Sequence, residues 1–115
     1  MEMEQTAEVF KALGDAHRLR ALAFLAQPPP ACCQQEGSVC ACDLVTHLGL
    51  AQPTVSHHMR VLTDAGLVTA TKQGRWMHYR LSAAGFALAQ QALSELLRVP
   101  ASPPPTSERT TGDFV

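Results

Sequence analysis

All four cysteines of the 115-residue chain fall inside "PPPACCQQEGSVCACD", residues 28–43. Cys32 and Cys33 are adjacent, and Cys40 and Cys42 are separated by one residue. Thiolates select soft ions. Three of them suit trivalent arsenic or antimony, which keep a lone pair and bind three sulfurs as a pyramid. Four suit zinc, cadmium or lead. Disulfides are the competing chemistry. Adjacent Cα atoms are about 3.8 Å apart, below the roughly 4.4 Å lower limit of ordinary bridges. A Cys32–Cys33 bridge is therefore cramped, and a Cys40–Cys42 bridge similarly so, whereas a cross-loop pair such as Cys33–Cys40 is relaxed. A role as four buried small apolar groups fits poorly among Gln, Glu, Gly and Ser. The cluster reads as a soft-ion site, with three or four ligands left open.

A second set of residues can do recognition. Gln52, Thr54, Ser56 and His57 lie away from Val55, Met59 and Leu62, whose i, i+4, i+7 spacing marks the inner face of a helix. Short polar side chains on such a helix reach base edges in a major groove, and Arg60 reaches a phosphate. Lys72 and Arg75 flank Gln73–Gly74, a two-residue hairpin signal, and a basic hairpin tip is placed to touch DNA. The formal net charge is −1, but residues 51–80 carry Arg60, Lys72, Arg75 and Arg80 against Asp64 alone. That local excess sets the electrostatic footprint. Trp76 reads as packing. His57 and His58 point about 100° apart on a helix and make a poor chelate; His57 reads as surface, His58 as half-buried packing and His78 as hairpin surface.

The elements that must hold these residues follow from periodicity and punctuation. Ala7, Val9, Phe10 and Leu13 set a first helix over 4–13. Gly14 closes it, and Asp15 caps a second that carries Leu19, Leu22, Ala23 and Ala26. Pro28–Pro30 ends the second helix, leaving a loop over 27–39. Ser38 is the expected N-cap of a short third helix, about 40–48. After "GLAQP" the fourth helix runs to about Ala65, with Pro53 in its first turn and Ala51 a poor cap. "LVTATK" and "RWMHYRL" form the hairpin. Ser82 caps a last helix, about 83–98, apolar nearly all round; that surplus calls for a partner helix, most simply from a second copy. The reading is one domain over 1–98 and a Pro/Ser/Thr-rich tail, 99–115, expected to be disordered. The fold class is mainly α with a small β-hairpin wing: a dimeric winged helix-turn-helix. No apolar run approaches a membrane span, and "MEMEQTAEVF" lacks the features of a signal peptide. The default compartment is the cytoplasm, where thiols stay reduced.

"LGDAHRLRALAFL", "CACDL", "QPTVSHHMRVLTDAGLV" and "GRWMHYRLS" together resemble the ArsR/SmtB family of winged-helix metal-sensing repressors. The resemblance covers 5–98. "CACDL" is similar to the family's C-V-C-D-L metal box, with Ala41 in place of Val. It implies a homodimer joined by its first and last helices and binding of double-stranded operator DNA through the helix after the turn. It also implies release when a soft metal or metalloid binds, and autorepression of a neighbouring efflux or reductase operon. The family's second metal site, built from Asp and His on the last helix, is missing, because 83–98 holds neither. In the arsenic-sensing branch a third Cys follows the C-x-C box by three positions; here that position is Val45. The cadmium/lead branch draws thiols from an N-terminal arm that has none here.

The reading taken forward is a metalloid-responsive repressor. Arsenite or antimonite binds Cys40 and Cys42 as core ligands, with Cys33 or Cys32 as the third. Helical residues at i and i+2 lie about 200° apart, so ion binding is expected to unwind the first turn of the third helix. The alternatives are a cadmium-, lead- or zinc-responsive repressor using all four cysteines, and a thiol-redox repressor on the same fold. An enzyme is disfavoured, since neither an acid/base set near the thiols nor a Gly-rich phosphate loop is present. A metal chaperone would leave the reading helix and wing without use.

Overall fold

The computed structural model describes residues 2–28, 34–35 and 38–98. Two helices open the fold, α1 (Met3–Leu13) and α2 (Ala16–Ala26). The Asp15 carboxylate accepts from the backbone N–H groups of His17 and Arg18, at 2.8 and 3.2 Å, and so starts α2. Such a cap satisfies donors that the helix cannot, at about 1 kcal/mol. The expected tail, 99–115, lies outside the described residues, as do Cys32 and Cys33.

The segment expected to be a loop contains two short strands, β1 (Gln34–Gln35) and β2 (Ser38–Cys40). Strand β2 then pairs with the wing. With β3 (Val68–Gln73) and β4 (Trp76–Leu81) the strands make an antiparallel sheet in the order β1-β2-β4-β3. Val39 faces Tyr79 and Cys40 faces His78 in the ladder. This pairing corrects the expected cap of α3 (Ala41–Leu48): Ser38 lies buried in β2, and the ladder holds the chain extended as far as Cys40. Cys40 itself is the N-cap, at φ −70° and ψ 144°, its sulfur accepting from the Cys42 N–H. Gly49, at φ 66°, closes the helix with a left-handed turn.

Helix α4 (Gln52–Asp64) follows that turn, so α3, the Gly49–Ala51 turn and α4 form the helix-turn-helix. Ala51 makes no side-chain cap bond and Pro53 occupies the first turn. The hairpin tip is one residue further on than expected. Gln73 still pairs with Trp76, so the loop is Gly74–Arg75, with Gly74 taking the positive φ that the turn requires.

Helix α5 (Ala83–Leu96) is capped by the Ser82 hydroxyl, which accepts from the Gly85 N–H. Its first turn lies against the α4–β3 corner so closely that a Cβ at Gly85 would stand 1.8 Å from the Gly66 carbonyl oxygen. The core is Val39, Leu44, Val55, Met59, Leu62 and Leu67, all essentially without solvent contact. It joins β2, α3 and α4 and thereby fixes both the cysteine strand and the reading helix. Of α5 only Ala89 and Ala92 are buried. Leu88 is 64% exposed and Leu97 74%, and Leu93 and Leu96 are exposed beside them. Among the described residues no helix is long and apolar enough to cross a membrane.

Candidate DNA-reading face and thiol corner

The reading face is built by α4. Val55, His58, Met59 and Leu62 turn inward, which leaves Gln52, Thr54, Ser56, His57 and Arg60 all exposed on the outer side. Lys72 and Arg75, at the wing, are exposed as well. Every residue expected to touch DNA is therefore free of core duties. His58 is more than half-buried packing: it is only 9% exposed, and its Nδ1 lies 3.1 Å from Arg18 Nη1. Arg18 was not among the residues singled out from sequence. The only available signal was an arginine three residues after a capping aspartate.

The thiol corner is the junction of β2 and α3. Cys40 is 3% exposed and Cys42 half-buried. Their sulfurs lie 2.6 Å apart, and both are thiols rather than halves of a bridge. This removes the reason for the expected unwinding. The 200° separation holds only when both residues are helical, and Cys40 is the extended cap. The pair converges with α3 intact. Two soft donors at one point fit two ligands of a thiophilic ion. Among the described residues no group of three or more His, Cys, Asp or Glu could hold a metal, and the expected third ligand, Cys33 or Cys32, lies outside them.

His78 corrects another expectation. It is 8% exposed rather than on the surface, and its buried Nδ1 has no hydrogen-bond partner among the described residues. The extra strand β2 pairs along the edge of β4, with Cys40 opposite His78, so β4 is an inner strand of the sheet rather than the edge of a two-stranded hairpin. His47 stacks on Phe24 with ring centroids 4.3 Å apart. A groove of about 420 Å³ runs between α1 and α5, past Val9, Phe10, Leu88 and Ala92.

Comparison with known proteins places this geometry. Residues 15–70 match the family described as bacterial regulatory protein, arsR family. The arsenical resistance operon repressor of Staphylococcus aureus is 39% identical over 82 residues, 71% of this chain and 70% of that protein. The chain belongs to the ArsR family. The arsenical resistance operon repressor of Escherichia coli is 40% identical over 75 residues, 65% of this chain. The match spans little more than half of that protein, 57%. Among solved structures, the homodimeric winged helix-turn-helix DNA-binding domain of a possible ArsR-family regulator from Mycobacterium bovis is similar. It has a TM-score of 0.60 and 32% identity, covering 84% of each chain. This ArsR-family chain is thus a winged helix-turn-helix transcriptional repressor, in a family of DNA-binding regulators rather than enzymes.

Proposed function

We propose that this chain is a cytoplasmic, metalloid-responsive repressor that leaves its operator when trivalent arsenic or antimony binds Cys40 and Cys42. The observation that carries the reading is the convergence of those two sulfurs at the cap of α3, the first helix of the DNA-reading motif. Cys33 or Cys32 is the third ligand. Gln52, Thr54, Ser56 and His57 read bases, while Arg60, Lys72 and Arg75 hold phosphates. The arsenical-resistance names of two relatives support the choice of ion.

The mechanism acts at the start of α3. Cys40 and Cys42, whose sulfurs adjoin each other, would hold the ion as soft donors, and the bound ion would fix the two sulfurs relative to one another. Cys40 is tied to the β4 ladder, so any displacement falls on Cys42 and the first turn of α3. Leu44, fully buried two residues further along, passes it to α4 through the shared core. Turning a population from 99% to 1% DNA-competent needs about 5.5 kcal/mol of preference for the released state, and by linkage DNA weakens ion binding equally.

The two reading heads are brought together by a homodimer through α1 and α5. The exposed leucines of α5 and the groove beside α1 supply a face that a second copy would cover. A titration of the reduced protein on its promoter fragment, followed by fluorescence anisotropy, tests the function. Arsenite or antimonite is expected to release DNA at concentrations where cadmium, lead and zinc do not. Release by the divalent ions instead would move the site to all four thiols. The sulfur proximity also favours a second reading, in which peroxide oxidises two thiols to a disulfide and is itself reduced to water. Release by peroxide alone would establish it.

A further inference from the structure

The corner between α1 and α2 holds a hydrogen-bonded chain that ends on the reading helix. Arg18 Nε donates to the Ala12 carbonyl at 2.7 Å and Nη2 to the Lys11 carbonyl at 3.3 Å. These carbonyls belong to the last turn of α1, where a helix leaves its acceptors unsatisfied. The third nitrogen, Nη1, reaches His58 Nδ1 on α4 at 3.1 Å. A guanidinium has donors only, so Nδ1 is the acceptor, and the His58 ring is neutral with its proton on Nε2. The Asp15 carboxylate holds the Arg18 backbone N–H, so the side chain leaves from a fixed point. One planar fork thus ties three helices together. Its hydrogen bond to α4 goes to a buried ring adjoining the exposed His57.

We infer that Arg18 is a positioning residue for operator binding, and that it sets the orientation of α4 through its hydrogen bond to the His58 ring. This rests on the reading of α4 as the DNA-contacting helix. The pair is selective about protonation. A proton on Nδ1 removes the acceptor and places an imidazolium against a guanidinium. Burial holds the His58 pKa below its ordinary value; Arg18, His17 and His57 push the same way, and Asp15 opposes them. The His17 and His57 rings lie 5.8 and 5.9 Å away by centroid. No group of α1, α3 or β3 contributes among the described residues. Acid therefore loosens the tie.

The test is operator affinity of the full reduced chain, by anisotropy, from well above to well below pH 6.5, the ordinary histidine value. Wild type is expected to weaken across the acid side. His58→Asn keeps an acceptor near the Nδ1 position and does not titrate. It should bind within about threefold of wild type at high pH and lack the acid loss. Arg18→Lys, which keeps the charge but not the fork, should lose roughly tenfold or more in affinity, the scale of a charge-assisted hydrogen bond. Thermal unfolding of each variant separates mispositioning from misfolding. Identical acid profiles for wild type and His58→Asn would overturn the inference, as would wild-type affinity in a folded Arg18→Lys chain. Failure of wild type to bind the duplex at any pH would remove the DNA-reading assignment of α4, and the inference with it.

Discussion

The reading face and the thiol corner lie on successive helices of one motif, yet they are built in opposite ways. On α4 the functional side chains are exposed and make no contribution to the core. At the β2–α3 junction the two sulfurs are buried or half-buried and touch each other, and Cys40 stands in the same strand pairing that carries core residue Val39. A contact surface for a large polyanion needs only outward display on a rigid support. A switch has to be wired into the packing, because an ion that touched nothing structural could move nothing. The difference sets what mutation should do in each place.

The largest effect is expected where the two regions share a support. Leu44 is fully buried on α3 and belongs to the core that holds α4. Leu44→Ala should destabilise the chain by about 2–5 kcal/mol in a urea melt and weaken operator binding and ion response together. Loss of one function alone would separate the regions. Next is the face of α5. A charge at Leu93, as in Leu93→Glu, should shift the dimer to monomer at micromolar concentration in sedimentation, because an unpaired carboxylate would be buried at the contact. An unchanged sedimentation profile would move the dimer contact off α5.

Smaller effects sharpen the contrast. Arg60→Ala and Lys72→Ala should each lower operator affinity and reduce the slope of log K against log salt by about 1, with unfolding free energies changed by no more than about 0.5 kcal/mol. A large fall in stability would mean that the reading face is not independent of the core. His78→Leu replaces a buried ring whose Nδ1 has no partner among the described residues. The chain should be equally stable or up to about 1 kcal/mol more so, with arsenite release intact. Loss of release would bring His78 into the ion site. The smallest effect is in pH. The Asp15 carboxylate is held below its ordinary value of 3.8, first by its bond to the Arg18 N–H. Its folded pKa is depressed, so its contribution is present above pH 3.8 and lost as pH falls through the lower folded value. His58, depressed from 6.5, also favours the folded state at higher pH, because below 6.5 the unfolded chain binds the extra proton first. Both act in the same direction, and an Asp15→Asn chain should show a flatter acid limb in a melt series.

The helices were legible because their signals are local. Asp15, Gly49 and Ser82 stop or start helices through their own side chains or backbone freedom, and Val55, Met59 and Leu62 announce a buried face by spacing alone. What was not legible was long-range. Nothing near Ser38–Cys40 says that this segment will pair with Tyr79 and His78, so the cap was placed two residues early. The i, i+2 argument was then applied to a cysteine that is not helical. The same missing strand put His78 on the surface. The Arg18–His58 contact spans forty residues of sequence, and no periodicity encodes it. Side chains displayed outward can be nominated from their own chemistry, whereas contacts such as Arg18–His58 need both partners in place.

The central claim is that Cys40 and Cys42 together form the switch. Its most direct test is arsenite titration of the operator complex for wild type, Cys40→Ser and Cys42→Ser, read by anisotropy under reducing conditions. Serine retains size and capping ability but not the soft donor. Each variant is expected to bind the operator within about threefold of wild type and to need at least about a hundredfold more arsenite for half-release. Release at wild-type arsenite concentrations by either variant would contradict the account.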